Sequence, residues 1–204
     1  MSKILLVRHG VTEYNSLYKF CGYSDIDLNA HGFKQVEKLR NRLANEKIDA
    51  VYSSDLKRAV STAKIVSSEH NVELATYPEL REISYGHLEG LTFEEIKNKY
   101  PEVAESITNF NLSLSFPGGE SFTEFIARTL RFMEKLNEHT EEQTILIASH
   151  GGPLTTLVCE LLGISQSHWR AFHIDNASLS IIHTYPNRGL LTLFNDTSHL
   201  KEKD

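Results

Sequence analysis

Two short apolar runs constrain the fold of this chain more than any other feature: KILLVR at residues 3–8 and TILIASH at residues 144–150. A strand that helices cover on both faces of a parallel sheet has a continuous apolar sequence, whereas a half-exposed strand alternates apolar and polar residues. The first run leads into His9–Gly10 and the second ends at His150 before Gly151. Both runs therefore predict buried parallel strands, which need helices between them.

The segment between the two runs alternates helix and strand patterns. Apolar residues recur at helical spacing over residues 31–46, and DAVYSS at residues 49–54 is a second strand candidate. A helix follows from Leu56, and VELATY at residues 72–77 is a third strand candidate. This order is typical of an α/β fold with a parallel sheet.

Two capping boxes predict further helices after residue 90, at Thr92 with Glu95 and at Ser121 with Glu124. The second helix is predicted to continue with an inner stripe of Ile126, Leu130 and Met133. Residues 177–185 and 189–195 have the pattern of a hairpin.

Together these patterns predict one domain over residues 1–204, a three-layer α/β/α fold. Its central sheet is mostly parallel with helices on both faces, and a small helical cap of about residues 85–125 lies over the carboxyl ends of the strands.

Charge and composition exclude several functions. The formal net charge of −6 argues against binding nucleic acid, which requires a concentrated basic surface. The apolar run at residues 4–7 is too short for a signal peptide or a membrane span, so we expect a cytoplasmic protein without membrane contact. Two cysteines, Cys21 and Cys159, are too few for a disulfide framework, and we interpret them as free thiols.

Polar clusters follow three of the predicted strands. Arg8–Gly10 follows the first strand, Ser54–Arg58 the second, and Ser149–Gly152 the strand at residues 144–150. Ligands of such sheets bind beyond the carboxyl ends of the strands, so we expect the three clusters to converge on one edge. A lone histidine or arginine at a strand end is usually structural, but three such clusters together favour a site.

The residue types in these clusters suit a phosphate monoester without a metal or other cofactor. Arg8 and Arg58 can each offer a guanidinium to phosphate oxygens. A neutral His9 can attack phosphorus, provided that its other ring nitrogen donates a hydrogen bond. His150 and the backbone around Gly151 at a helix start can add further donors to the same anion.

The leaving alkoxide also needs a proton from an acid. Glu82 in LREISYG is our candidate, and Glu79, Glu89 and Glu120 are alternatives by residue type.

Other hydrolytic chemistries lack their motifs. A cysteine-dependent phosphatase needs Cys-x5-Arg, but Asp27 and Ser165 stand six residues after the two cysteines. Asp25-Ile-Asp27 does not directly follow an apolar strand, as an aspartyl-phosphate mechanism requires, and we find no P-loop, His-Glu-x-x-His or dinucleotide glycine motif.

The motifs closely resemble those of the histidine phosphatase superfamily, phosphoglycerate mutase-like branch. Residues 8–15 match the leading family motif R-H-G-x-T-x-x-N. The segment SDLKRAVSTA at residues 54–63 resembles the family pattern S-x-L-x-R-A-x-x-T-A. Residues 80–90 resemble the family's acid-bearing segment, and residues 148–153 resemble the segment with its second histidine. The resemblance implies that His9 is phosphorylated, that Arg8, Arg58, His150 and Asn15 bind the phosphate, and that Glu82 is the proton donor. It also implies that the loop at Cys21–Gly22 lies over the bound ester.

Within this superfamily, the short interval from Glu82 to His150 favours phosphatases over mutases. Residues 117–132, 172–182 and 193–200 are similar to alpha-ribazole phosphatases of cobalamin nucleotide-loop assembly, although metal-independent phosphoserine phosphatases share much of the pattern. The resemblance thus ranks alpha-ribazole 5′-phosphate first and other small phosphomonoesters second. A phosphoglycerate mutase and a non-catalytic phospho-ligand binding module stay as alternatives. The oligomeric state stays open, with a homodimer as one option.

Overall fold

Six strands form one sheet in the computed structural model, which describes residues 2–109, 111–140, 142–186 and 188–201. The strands are β1 (Ser2–Arg8), β2 (Ala50–Ser53), β3 (Leu74–Thr76), β4 (Thr144–Ser149), β5 (Leu179–Tyr185) and β6 (Arg188–Asp196). Their order is β3-β2-β4-β1-β5-β6. The first four pair in parallel, whereas β5 and β6 pair antiparallel. The predicted mostly parallel sheet and terminal hairpin are confirmed.

Eight α-helices occur among the described residues. They are α1 (Glu13–Ser16), α2 (Ala30–Leu43), α3 (Lys57–Val66), α4 (Phe93–Lys99), α5 (Pro101–Thr108), α6 (Phe122–Arg131), α7 (Met133–Leu136) and α8 (Gly151–Leu162). None of the helices in the described part of the chain is long and apolar enough to span a membrane.

The packing of strand β1 explains why its residues 4–7 are all apolar. Leu5 and Val7 pack into a cluster with α2 and α3, whereas Ile4 and Leu6 pack into a second cluster with α8 on the opposite face. All four side chains are buried. The sheet is therefore the middle layer of three, as the sequence predicts.

A third apolar cluster lies outside these two layers. Its buried members are Ile83, Leu88, Ile96, Ala104, Ile107, Leu114, Phe116, Phe122 and Phe125. The segment predicted as a cap contributes most of them, and Phe20 and Tyr85 pack against the cluster. This segment thus has an apolar core of its own.

Helix α6 is turned differently from the prediction. Phe122, Phe125 and Thr129 are buried, whereas the predicted inner stripe of Ile126, Leu130 and Met133 is only half-buried. The reason is that Phe122 and Phe125 pack into the third cluster. The strand at 72–77 is also shorter than predicted, since β3 contains only three residues.

Candidate active site

The carboxyl ends of three neighbouring strands bring the predicted polar clusters together. Arg8 ends β1 and His9 follows it, Arg58 lies in the first turn of α3 after β2, and His150 is the N-cap of α8 after β4. The ring centroids of His9 and His150 are 5.0 Å apart. The expected convergence of the three clusters is present.

His9 is held in one orientation by its own loop. Its side chain is buried, and Nδ1 lies 2.7 Å from the carbonyl oxygen of Gly10. A carbonyl can only accept a hydrogen bond, so Nδ1 carries the proton and the neutral ring has its lone pair on Nε2. Burial, followed by the positive charges of Arg58 and Arg8, lowers the pKa of His9 well below its ordinary value of 6.5. The geometry therefore provides a neutral imidazole with a nucleophilic Nε2.

His150 is bound through both ring nitrogens. Arg58 Nε donates to His150 Nδ1 over 3.2 Å, and His150 Nε2 lies 2.9 Å from Ser54 Oγ. Because a guanidinium can only donate, Nδ1 holds the lone pair and Nε2 carries the proton. Burial and the charge of Arg58 lower the pKa of His150 well below 6.5. His150 is thus a neutral ring in a defined tautomer.

The guanidinium of Arg58 also holds the loop that contains Cys21 and Gly22. Its terminal nitrogens donate to the carbonyl oxygens of Cys21, Gly22 and Ser24 at 2.8 to 3.0 Å. With the bond to His150, four of its five N–H groups have partners. We expected this guanidinium to face the phosphate, but its partners in the structure leave it only one N–H group for an anion.

Arg8 has a donor without a partner. Nη1 donates to the carbonyl oxygen of Ile174 at 2.6 Å, whereas Nε is buried and makes no hydrogen bond to the described residues. A Cβ placed on Gly151 would lie 3.8 Å from this Nε and 3.9 Å from Glu82 Oε2, so the donor faces the start of α8 beside the Glu82 carboxylate. A buried polar group usually has a partner, which makes Arg8 Nε a candidate anion donor.

Asn15 presents its amide nitrogen to the same space. Its Oδ1 accepts hydrogen bonds from the backbone N–H and the hydroxyl of Thr12, at 3.0 and 2.9 Å, and from Asn176 Nδ2 at 3.4 Å. These donors fix the amide with its oxygen toward the protein. Asn15 lines the cavity next to His9, so Nδ2 is placed to donate there.

The Glu82 carboxylate is positioned by two backbone N–H groups. Ile83 N donates to Oε1 at 3.0 Å and Gly152 N donates to Oε2 at 3.3 Å. A Cβ on Gly152 would lie 2.4 Å from Oε1, so the close approach of the carboxylate to α8 depends on glycine at this position.

Two of the three alternative carboxylates, Glu89 and Glu120, have structural partners. Glu89 accepts from the backbone N–H groups of Tyr23 and Ser24, and Glu120 is paired with Arg128 at 2.8 Å. Among the described residues, Glu82 lines the cavity next to His9, whereas Glu79, Glu89 and Glu120 do not.

Beside these groups lies a cavity of about 280 Å³, and Arg58 and His150 are not among the described residues that line it. It is lined by Arg8, His9, Asn15, Tyr18, Lys19, Phe20, Cys21, Glu82 and Tyr85. Burial raises the pKa of the Cys21 thiol to about 11, so this cysteine stays protonated. Gly22, in the same loop, packs against the backbone of Ile83, since a Cβ at Gly22 would lie 2.4 Å from the carbonyl oxygen of Ile83.

A family model matches residues 4–197, which is nearly the whole chain, and it describes the histidine phosphatase superfamily, branch 1. The chain belongs to this superfamily. Phosphoserine phosphatase 1 of Hydrogenobacter thermophilus is 35% identical over 99% of this chain and 96% of its own length. This relationship supports a phosphatase function.

Two solved histidine phosphatase-like structures have the same fold. The alpha-ribazole phosphatase from Shigella flexneri superposes with a TM-score of 0.88 at 30% identity, covering 96% of each chain. A phosphoserine phosphatase mutant from Entamoeba histolytica, in complex with phosphoserine, superposes with a TM-score of 0.84 at 28% identity, covering 98% of this chain and all of that chain. The predicted fold class is thus confirmed by similarity as well as by the sheet itself.

The described residues of this histidine phosphatase contain no group of three or more His, Cys, Asp or Glu side chains suited to a metal ion. The side chains at the strand ends are instead two histidines, two arginines and one glutamate, which suit an anion rather than a cation.

Sequence reasoning missed three residues that position the site: Ser54, Gly152 and Asn176. Ser54 and Gly152 lie inside the recognised strand-end clusters and were available from that signal. Asn176 lies far away in sequence, and its contacts with the His9 carbonyl oxygen at 3.0 Å and with Asn15 arise only from folding.

Proposed function

We propose that this histidine phosphatase is a metal-independent phosphomonoesterase that transfers the phosphoryl group of its substrate to His9 Nε2 and then to water. The contact between His9 Nδ1 and the Gly10 carbonyl oxygen carries the proposal, because it leaves Nε2 unprotonated inside a cationic cavity. Arg8 and Arg58 supply the positive charge that the phosphate oxygens need.

Three donors are placed to bind the non-bridging oxygens. They are Arg8 Nε, which lacks a partner among the described residues, Asn15 Nδ2, and the backbone N–H of Gly151 at the start of α8. The dipole of this helix adds to the favourable potential for a dianion.

The proposed reaction has two steps. His9 Nε2 forms a bond to phosphorus while the bond between phosphorus and the ester oxygen breaks, and Glu82 gives its proton to the departing alkoxide. In the second step Glu82 takes a proton from water, the oxygen of that water bonds to phosphorus, and the bond to Nε2 breaks. The products are an alcohol and inorganic phosphate, and both His9 and Glu82 return to their starting states.

For the substrate we propose alpha-ribazole 5′-phosphate first and L-phosphoserine second. The structural similarity to the Shigella flexneri enzyme, which covers 96% of this chain at 30% identity, supports the first. The 35% identity to a phosphoserine phosphatase supports the second.

A phosphate-release assay in EDTA tests the proposal. We expect the wild-type chain to hydrolyse at least one ester in a panel of alpha-ribazole 5′-phosphate, L-phosphoserine and 3-phosphoglycerate, and H9A to hydrolyse none. His31→Ala is a matched control, because His31 is exposed on α2 and lies outside the cavity. Hydrolysis by H9A at the wild-type rate would contradict a phosphohistidine intermediate.

Product analysis separates the two alternatives. Conversion of 3-phosphoglycerate to 2-phosphoglycerate without phosphate release would identify a mutase. Binding of esters without any turnover by the wild-type chain would identify a non-catalytic module.

A further inference from the structure

The residues that line the cavity fall into two chemical sets, here called its two halves. Arg8, His9, Asn15 and Glu82 form the polar half, which the proposed phosphoryl transfer uses. The other half contains three aromatic side chains, Tyr18, Phe20 and Tyr85, together with Lys19 and Cys21. We propose that these three aromatic side chains, the aromatic wall, form a subsite for an aromatic ring on the alcohol part of the phosphate ester. This proposal rests on the proposed function, because the two halves share one cavity.

Two members of the aromatic wall are fixed by aromatic packing. The ring centroids of Phe20 and Tyr85 are 4.9 Å apart in an edge-to-face arrangement, and those of Tyr85 and Phe116 are 5.0 Å apart. Phe116 in turn contacts Phe122 within the third apolar cluster. Phe20 and Tyr85 are therefore anchored through the cap segment and are preorganised for a ligand ring.

The third member, Tyr18, stands at the mouth of the cavity. Its side chain is 87% exposed, and the backbone has φ 54°, which is unusual for a residue other than glycine. No aromatic contact holds its ring within the described residues. An exposed tyrosine ring beside a cavity has little to pack against in the protein and can stack on a ligand.

The polar groups in this half include the ammonium of Lys19 and the hydroxyl of Tyr85. Lys19 Nζ lies over the ring of Tyr14, 5.9 Å from its centroid, and Tyr14 does not line the cavity. Burial, followed by the charge of Glu82, raises the pKa of Tyr85 well above its ordinary value, so its hydroxyl stays protonated. The hydroxyl is thus a neutral donor for a ring heteroatom or a sugar hydroxyl beside the aromatic ring.

A matched pair of esters tests the inference. 2-Phenylethyl phosphate and 2-cyclohexylethyl phosphate have similar size and leaving groups of similar basicity, but only the first carries a ring with a π face. We expect the wild-type kcat/KM to be roughly three- to tenfold higher for the phenyl ester, the effect of one or two favourable aromatic contacts. We expect Y18L to bring the ratio of the two values close to one, and Y18F to keep it.

Tyr185→Leu is the matched control, because Tyr185 is an exposed tyrosine at the end of β5 outside this cavity. Equal wild-type kcat/KM values for the two esters, or an unchanged ratio in Y18L, would overturn the aromatic subsite while leaving the phosphatase proposal intact.

Binding to the H9A variant separates failure of the subsite from failure of the proposed function. Calorimetry should show that H9A binds the phenyl ester more tightly than the cyclohexyl ester, by the same factor. If the wild-type chain hydrolyses neither ester but H9A shows this difference, the proposed function fails and the subsite stands. If H9A binds the two equally, the subsite is wrong.

Discussion

Arg58 Nε donates a hydrogen bond to His150 Nδ1 over 3.2 Å, and both side chains are fully buried. This contact assigns the proton of His150 to Nε2, where Ser54 Oγ lies 2.9 Å away. His150 can gain a second proton only on Nδ1, because Nε2 already carries one. Nδ1 faces the guanidinium of Arg58, so this second protonation is unfavourable.

Replacing Ser54 by alanine tests whether this residue positions His150. We expect kcat to fall roughly tenfold, since losing one partner of a buried hydrogen bond costs about 1–3 kcal/mol. Nitrogen NMR should show the Nε2–H form of His150 in both proteins, because Arg58 still donates to Nδ1. The Nε2 signal should shift in S54A, where the hydrogen bond to Ser54 is lost.

Ser53→Ala is the control for Ser54. Ser53 is equally buried, but its hydroxyl donates to the carbonyl oxygen of Ser54 and does not touch His150. A kcat and an Nε2 signal in S54A that both match those of the wild-type chain would contradict the positioning role, whatever happens to stability.

Glu82→Gln tests the proton donor through the leaving group. We expect a loss of roughly 10²–10⁴-fold in kcat for alkyl phosphates, whose alkoxides need a proton, because that is the range for general acid catalysis. The loss should be far smaller for p-nitrophenyl phosphate, whose leaving group departs as an anion. Equal losses for both esters would show that Glu82 is not the acid.

Gly152→Ala should impair the same step indirectly. Its Cβ would lie 2.4 Å from Glu82 Oε1, so the carboxylate must move away from the cavity. We expect G152A to lower kcat for alkyl phosphates more than for p-nitrophenyl phosphate. Adding G152A to E82Q should cost less than G152A costs alone, because the two residues act as a unit; simple additivity would contradict this coupling.

The stability of the protein should fall as the pH drops below about 6.5. The pKa values of His9 and His150 are lowered by burial, so below 6.5 the unfolded chain binds protons that the folded chain does not. Each histidine can therefore remove up to about 1.4 kcal/mol of the free energy of unfolding per pH unit.

Urea unfolding at pH 7.5 and pH 5.0 measures this effect. We expect H150N to lose less stability than the wild-type chain between these two pH values, because one buried titrating ring is gone. Asp55, whose pKa is lowered by its hydrogen bond from Arg81, loses its contribution only at more acidic pH. An equal loss in H150N and the wild-type chain would show that His150 is not held neutral.

Several features of the site could be predicted from the sequence because they depend on neighbours in the chain. The apolar runs specify buried strands, and His9, Arg58 and His150 come directly or within one helical turn after strand ends. Parallel strands end at the same edge of a sheet, so local order along the chain is enough to predict convergence.

The aromatic wall and the orientation of α6 could not be predicted in this way. Tyr85 lines the cavity because the cap segment folds into its own apolar cluster, and α6 is turned by the packing of Phe122 and Phe125 into that cluster. Helical periodicity alone predicted a different buried stripe for this helix, because it contains no information about which elements the helix packs against.

The sequence by itself determined the strand-and-helix order, the superfamily and the set of residues at the strand ends. The tertiary structure alone decided the protonated nitrogen of each histidine, the role of Arg58 in holding the loop at residues 21–24, and the placement of Glu82 against Gly152. The physical reason is that hydrogen bonds and desolvation act over a few ångströms between groups that lie tens of residues apart in the chain.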